Sequence, residues 1–453
     1  MAARREPNER LAAVIAEAGC TYEALAKQVR TTATEAGETL HTSRSAVFSW
    51  VNGGTPTGST ASYLAEALSR LAKRRVTVPE IGLGCDGIGE EMSADPLAAA
   101  ADLGRFAMLH RRDFLTTTFT VAAVGLPLTY DHRAVAATLR AARSGGRIGA
   151  EEVSSVRQLT EMFRITDDRL GGGHGLTAVT VYFSDTVIPL LSCRFPSDQV
   201  RREAYGAAAT LACLVGWKHH DLGREGAAQR FYLLGYQLAC ESEPDGHGAW
   251  MMRALTHQAL DVRQPAHCIE LAEAALSRAR GKVDRKTEAL LLVTAARAYG
   301  ARGEGEKAAS ALMSAEDAML ATDDAVPSYA AASGPVAATV ASHTAKTLTE
   351  LRDHRAAERH YRMALADRTP ETYQRVHGLT MANLAKSVAA QRRHDEALEL
   401  WSRSLDFMGG VASDRNRKEL TIMRSVLVGY RQRGIPGAAA LDQRAAGMLR
   451  AMA

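Results

Sequence analysis

Six cysteines are scattered through 453 residues, and no two form a Cys-x-x-Cys pair. That spacing excludes zinc ribbons, thioredoxin-like chemistry and disulfide scaffolds, and leaves the cysteines as small buried hydrophobes in a reducing cytosol. No window holds about 18 consecutive apolar residues, so neither a spanning helix nor a membrane partner is expected. Aromatics make up only 6% of the chain and prolines number 13. Net charge is only +4, which by itself selects no partner. What remains is a long, alanine-rich chain, 46% hydrophobic and 23% charged, a mixture that favours close-packed helices in two or three domains.

Motifs of chemistry are also scarce. The stretch "GLGCDG" (82–87) satisfies Gly-x-Gly-x-x-Gly, but no helix start follows to offer its amides to a pyrophosphate, so it reads as linker. "DDRLGGGHG" (167–175) lacks a flanking strand and a nucleophile elbow, and reads as a bend between helices with His174 capping or facing a ligand. The adjacent histidines of "WKHHD" (217–221) point about 100° apart on a helix, so they do not ligate one metal together. With no HExxH pattern or hydrolase triad, the expectation is a non-enzyme with no metal site and no cofactor.

Residues 1–80 divide into short helices. Leu11, Val14, Ile15 and Ala18 recur at helical spacing before Gly19, and Thr21 caps a second helix with Tyr22, Leu25, Ala26 and Val29 on one face. A polar stretch follows from Thr31 to Thr39. Thr42 or Ser43 then starts a short helix with Val47 and Trp50 facing inward and Arg44, Ser45, Ser49 and Phe48 facing outward; Asn52-Gly53-Gly54 stops it. A last helix carries Tyr63, Leu64, Ala67, Leu68 and Leu71. Val47, Trp50, Gly53 and Pro56 resemble the signature of phage-repressor-type helix-turn-helix domains, although Phe48 replaces a small polar residue and the segment before the third helix is longer than the family's tight turn. The resemblance implies a double-stranded DNA partner, met by Thr42, Ser43, Arg44, Ser45 and Ser49 in the major groove, with Lys73, Arg74 and Arg75 on phosphates.

Residues 81–130 change character. "HRRDFLTTTFTVAAVGLPL" (110–128) looks like a twin-arginine export signal, which would make Met108 the true start. With a helical head before it and repeats after it, the stretch reads instead as a linker and hinge helix, with Arg111 and Arg112 pairing acidic groups and Phe114 packing against the first repeat.

From residue 131 to 453 a helical pair recurs. Ala228, Cys268, Ala308, Ala357 and Ala397 take the same small-residue position, 40, 40, 49 and 40 residues apart. The pattern matches tetratricopeptide repeats, whose usual period is about 34. Two or three pairs before Arg201 and one from Glu419 to Leu449 complete the array. The fold class expected is all-α, a helix-turn-helix domain followed by a tetratricopeptide-like α-solenoid. Its concave face is expected to bind a small molecule or peptide through polar or aromatic residues on first helices: His219, Trp250, Arg253, His257, Arg297, His343, Asn383 and Lys386.

The combination resembles peptide-sensing regulators of Gram-positive bacteria, and more closely actinobacterial (Streptomyces-type) regulators of development and antibiotic production. That second likeness rests on "RRDFL" (111–115), "DDRLGGGH" (167–174), and Gly216-Trp217 with Asp221 and Gly223. It implies a cytoplasmic, homodimeric transcription regulator of repressor type, in which a ligand in the repeat groove alters DNA binding. The alternative is a protein-interaction scaffold or adaptor that uses the repeats without DNA.

Overall fold

The computed structural model describes residues 7–35, 38–57, 59–74, 76–83, 95–100, 103, 148–264, 267–321, 326–331 and 334–452. Among these residues the chain is all-helical and contains no strand. The hinge residues Arg111, Arg112 and Phe114, and the DNA-contact candidate Arg75, lie outside the described residues.

The head has four helices: α1 (Glu9–Glu17), α2 (Tyr22–Glu35), α3 (Arg44–Val51) and α4 (Thr60–Ala72). Their core is the expected apolar set, with Leu11, Leu25, Val29, Val47, Tyr63, Leu64 and Leu68 fully enclosed. Helix α2 runs five residues into the stretch expected to be irregular. There Thr31, Thr32 and Thr34 each return a hydroxyl hydrogen bond to the carbonyl four residues back, and Thr32 and Ala33 face the core. The head also continues past residue 80, because Val76, Val78 and Ile81 join its core and Asn8 donates to the Ile81 carbonyl at 2.9 Å. Gly82 belongs to that contact: at φ 71°, its missing Cβ would stand 2.9 Å from Asn8 Oδ1.

The array opens with α5 (Ala150–Leu170) and α6 (Leu176–Tyr182), the latter continued by a π-helical turn and α7 (Ile188–Leu190). One such pair is described between residues 148 and 201; residues 131–147, where the expected two or three pairs begin, lie outside the described residues. Helical hairpins follow: α8 (Asp198–Asp221) with α9 (Glu225–Ser242), α10 (His247–Asp261) with α11 (Cys268–Ala279), and α12 (Arg285–Ala301) with α13 (Gly305–Met319). After the short α14 (Ser328–Ala331) come α15 (Val336–Glu350) with α16 (His354–Ala366), α17 (Gln374–Ala390) with α18 (His394–Met408), and α19 (Asp414–Gln432) with α20 (Ala438–Ala451).

Ala228, Cys268, Ala308, Ala357 and Ala397 are all completely buried near the starts of second helices, so the two helices of each pair can approach closely. The residue five before each anchor is left-handed: Gly223, Arg263, Gly303, Arg352 and Arg392, with Gly434 in the last hairpin. A left-handed residue ends one helix while its amide satisfies a terminal carbonyl, which fixes the turn at the same point of every repeat. The single 49-residue spacing is explained by the insertion that carries α14.

The superhelix closes on itself. At the junction of α5 and α6, the Gly173 amide donates to the Ala412 carbonyl (3.2 Å), and the Ala412 amide donates to that of Leu170 (3.0 Å). Asp167 receives Lys218 Nζ from α8 at 3.1 Å and Arg375 Nη2 from α17 at 2.8 Å. Asp221 lies 3.2 Å from Arg375 Nη1 and accepts from the Gly172 amide and the Ser413 hydroxyl, each at 2.9 Å. "DDRLGGGH" and the end of "GWKHHDLG" are therefore two halves of one buried latch. Its glycines are required by space: a Cβ on Gly172 would stand 2.6 Å from the Lys218 carbonyl oxygen, and one on Gly171 2.6 Å from that of Ala412.

Candidate functional site

The closed superhelix surrounds a central cavity of about 1020 Å³ that stays open to solvent, lined by α5 and by every first helix from α8 to α19. Of the eight groove candidates, Trp250, Arg253, His257, Arg297, His343, Asn383 and Lys386 line it. His219 does not. It stacks on Phe231 inside the α8–α9 hairpin, 5.5 Å between ring centroids, and burial with the nearby Arg224 and Lys218 holds its pKa down to about 3. The neighbouring His220 faces the cavity instead, because one residue along a helix turns the side chain by about 100°. It bonds Glu225 at 2.7 Å and lies 3.4 Å from Asp261. Burial opposes its charge, but the two carboxylates outweigh burial and raise its pKa to about 9.

A polar layer crosses the middle of the cavity. Arg297 donates to His257 Nδ1 at 2.7 Å and to Asp261 Oδ1 at 2.9 Å, and reaches His343 Nδ1 at 3.5 Å. The imidazoles of His257 and His343 stack at 4.5 Å. Because a guanidinium only donates, His257 Nδ1 must accept, which leaves Nε2–H to donate to Thr294 Oγ1 at 2.9 Å. Burial and the surrounding cations hold both histidines neutral, far below the usual range. Asp261 is the opposite case: burial disfavours its charge, but Arg297, His220 and Arg415 keep it ionised.

Sequence reasoning missed several lining residues. Lys346 sits on α15 one turn after His343, and Arg368 follows the C-terminus of α16. Trp217 is flanked by the guanidiniums of Arg375 (5.5 Å) and Arg415 (5.1 Å). Tyr329, on the inserted α14, stacks on His247 at 4.6 Å and leans on Trp250 at 6.1 Å. The Lys346 signal was its spacing from His343, the same i, i+3 step that joins Asn383 to Lys386. Tyr329 was signalled only by the nine-residue excess of its repeat.

The head's candidate surface is partly as expected. Ser43 caps α3 by accepting from the Ala46 amide, and Arg44, Ser45 and Ser49 are exposed on one acid-free face. Phe48 stands among them at 58% exposure, 6.4 Å from the Tyr22 ring. Two candidates fall elsewhere. Thr42 is buried, its carbonyl taken by Arg30, so its side chain is not on that face. Arg74 is held by Glu17 (2.5 Å) and Glu80 (2.7 Å), a clamp that closes the head's end rather than a guanidinium offered to phosphate. Lys73 is exposed, in left-handed conformation, at the end of α4.

A family model described as the SP15 N-terminal domain matches residues 11–84, from within α1 to just past the head's last core residues. No curated protein matches the chain. Among the described residues no group of His, Cys, Asp and Glu is arranged to hold a metal ion, and no helix is long and apolar enough to cross a membrane.

Proposed function

We propose that the chain is a ligand-responsive, DNA-binding transcription regulator, a homodimer of the Streptomyces type whose closed repeat domain senses a small molecule. The observation that carries this reading is the pairing of two surfaces: an exposed, acid-free helix on the head and a ligand-sized cavity inside the ring. A short helix bearing Arg44, Ser45 and Ser49 offers donors to base edges and phosphates with no carboxylate to repel them. About 1020 Å³ lies at the upper end of the range for small-molecule sites. Closure also favours a small molecule over an extended peptide, since the latch removes the open groove a peptide would need. A ligand that prefers one geometry of the ring shifts the position of paired heads by its difference in affinity for the two states.

Gel shift on DNA upstream of the protein's own reading frame tests the reading. Arg44→Ala should weaken binding about 5- to 100-fold, and Lys73→Ala should weaken it across all sequences and flatten its salt dependence. Absence of binding at low salt, or binding untouched by both changes, defeats it. The adaptor reading draws on one observation, Phe48 exposed at the centre of the same face, since an aromatic there is the kind of anchor protein interfaces use. It is favoured if a stoichiometric protein partner is lost in Phe48→Ala while no DNA is retained.

A further inference from the structure

Eleven Arg and Lys residues line the central cavity against six Asp and Glu. The excess is concentrated where carboxylates are lacking. Asp261 is already shared by Arg297, Arg415 and His220. Arg253, Lys346 and Arg368 have no carboxylate within ion-pair distance among the described residues. Arg253 spends its Nε–H on the Leu290 carbonyl (3.2 Å) and lies 4.4 Å over the Trp250 ring. Arg368, 5% exposed, donates one nitrogen to Thr339 and leaves Nη1 buried with no acceptor. The half-buried Lys346 amine makes neither a hydrogen bond nor an ion pair among the described residues. Buried cations are normally paired, because desolvation without compensation is expensive.

We infer that the central cavity is a site for a small anionic amphiphile, a carboxylate, sulfonate or phosphate on an apolar or aromatic body, with its anionic group drawn to Arg253, Lys346 and Arg368. Burial and the neighbouring Arg297 push Lys346 down to about 7, and burial pushes Arg253 down to about 9, as expected of cations awaiting a counter-charge. The body of the ligand has its own walls in Trp250, Tyr329, Leu214, Leu379 and Ile422. The inference rests on the sensor reading above and names the chemistry of its ligand. A closed ring with an insertion across one wall suits a compact molecule, not an acidic chain threading through.

The test uses 8-anilinonaphthalene-1-sulfonate as a fluorescent probe with the full chain at pH 6.5. The expected result is saturable binding displaced by decanoate or decyl phosphate and not by decanol, and weakened about tenfold or more in both Lys346→Met and Arg253→Met. Displacement by decanoate identifies a carboxylate site, and displacement by decyl phosphate alone identifies a phosphate site. No binding, equal displacement by decanol, or unchanged affinity in both variants overturns the inference. So does displacement by a glutamate-rich peptide when both decyl anions fail. Each variant's thermal unfolding is followed alongside, so that lost binding is separated from lost folding. No DNA is present, so failure here leaves the gel shift free to succeed, and failure there leaves this result standing.

Discussion

Two charge clusters sit within the same ring and are built oppositely. At the latch, Asp167 and Asp221 face Lys218 and Arg375, all four are enclosed, and every charge has a partner. In the cavity, Arg253 and Arg368 are buried and Lys346 is half-buried, and among the described residues none of the three has a carboxylate of its own. The same physics, charge moved into a poorly polarisable interior, therefore yields a structural staple in one place and a vacancy for a counter-ion in the other. At the latch burial works against Asp167, but Arg375 and Lys218 hold its pKa below the usual value; at the cavity nothing comparable holds Lys346 up.

Removing a compensated charge should cost most. Arg375→Met leaves Asp167 and Asp221 buried against Lys218 alone and is expected to destabilise the ring by about 3–5 kcal/mol in chemical denaturation. An unchanged midpoint would mean that the latch does not hold the superhelix closed. Next comes Gly172→Ala, whose Cβ would meet a backbone oxygen that cannot retreat; a loss of about 1–3 kcal/mol is expected by the same measurement.

Removing an uncompensated charge should do the reverse. Lys346→Met is expected to raise the melting temperature of the unliganded chain by about 2–4 °C, corresponding to about 1 kcal/mol. The sign with pH follows from the depressed pKa. The unfolded chain binds the Lys346 proton up to pH 10.5 while the folded chain releases it above about 7, so the lysine burdens the fold fully below pH 7. The variant's advantage should therefore be complete at pH 6.5 and absent near pH 10.5. A melting temperature lowered at pH 6.5 would show that Lys346 is compensated after all. The smallest effect belongs to neither cluster: Arg392→Gly, at a left-handed turn, should stabilise by about 0.5–1 kcal/mol, as Arg352→Gly should at the equivalent position.

Much of this was legible locally. Alanine spacing gave the hairpins and their frame, and seven of the eight groove candidates line the cavity because residues on first helices share one face. The error at His219 was a single step of helical phase, which short-range periodicity does not resolve where a helix such as α8 is buried on several sides. The latch could not be read at all: Asp167 and Arg375 are 208 residues apart, and only closure of the superhelix makes neighbours of them. The three glycines were visible as a bend, but the reasons for them are Ala412, against Gly171 and Gly173, and the Lys218 carbonyl, against Gly172, both far along the chain. In the head, the outward set on α3 followed from Val47 and Trp50 pointing in. The pairing of Arg74 with Glu17 depended on a contact between α1 and the end of α4 that the sequence does not announce.

The most direct test of the uncompensated cluster is calorimetric titration with decanesulfonate, an anion that does not itself titrate, at pH 8 in buffers of different ionisation enthalpy. Around Lys346, Arg297, Arg415 and Arg368 depress its charge and Asp261 favours it, while His343 and His257 stay neutral. A bound anion should restore the lysine's proton, so uptake approaching one proton per site is expected, with affinity falling from pH 7 to 9. Binding with no proton uptake and the same affinity at pH 6.5 and 9 would contradict the account.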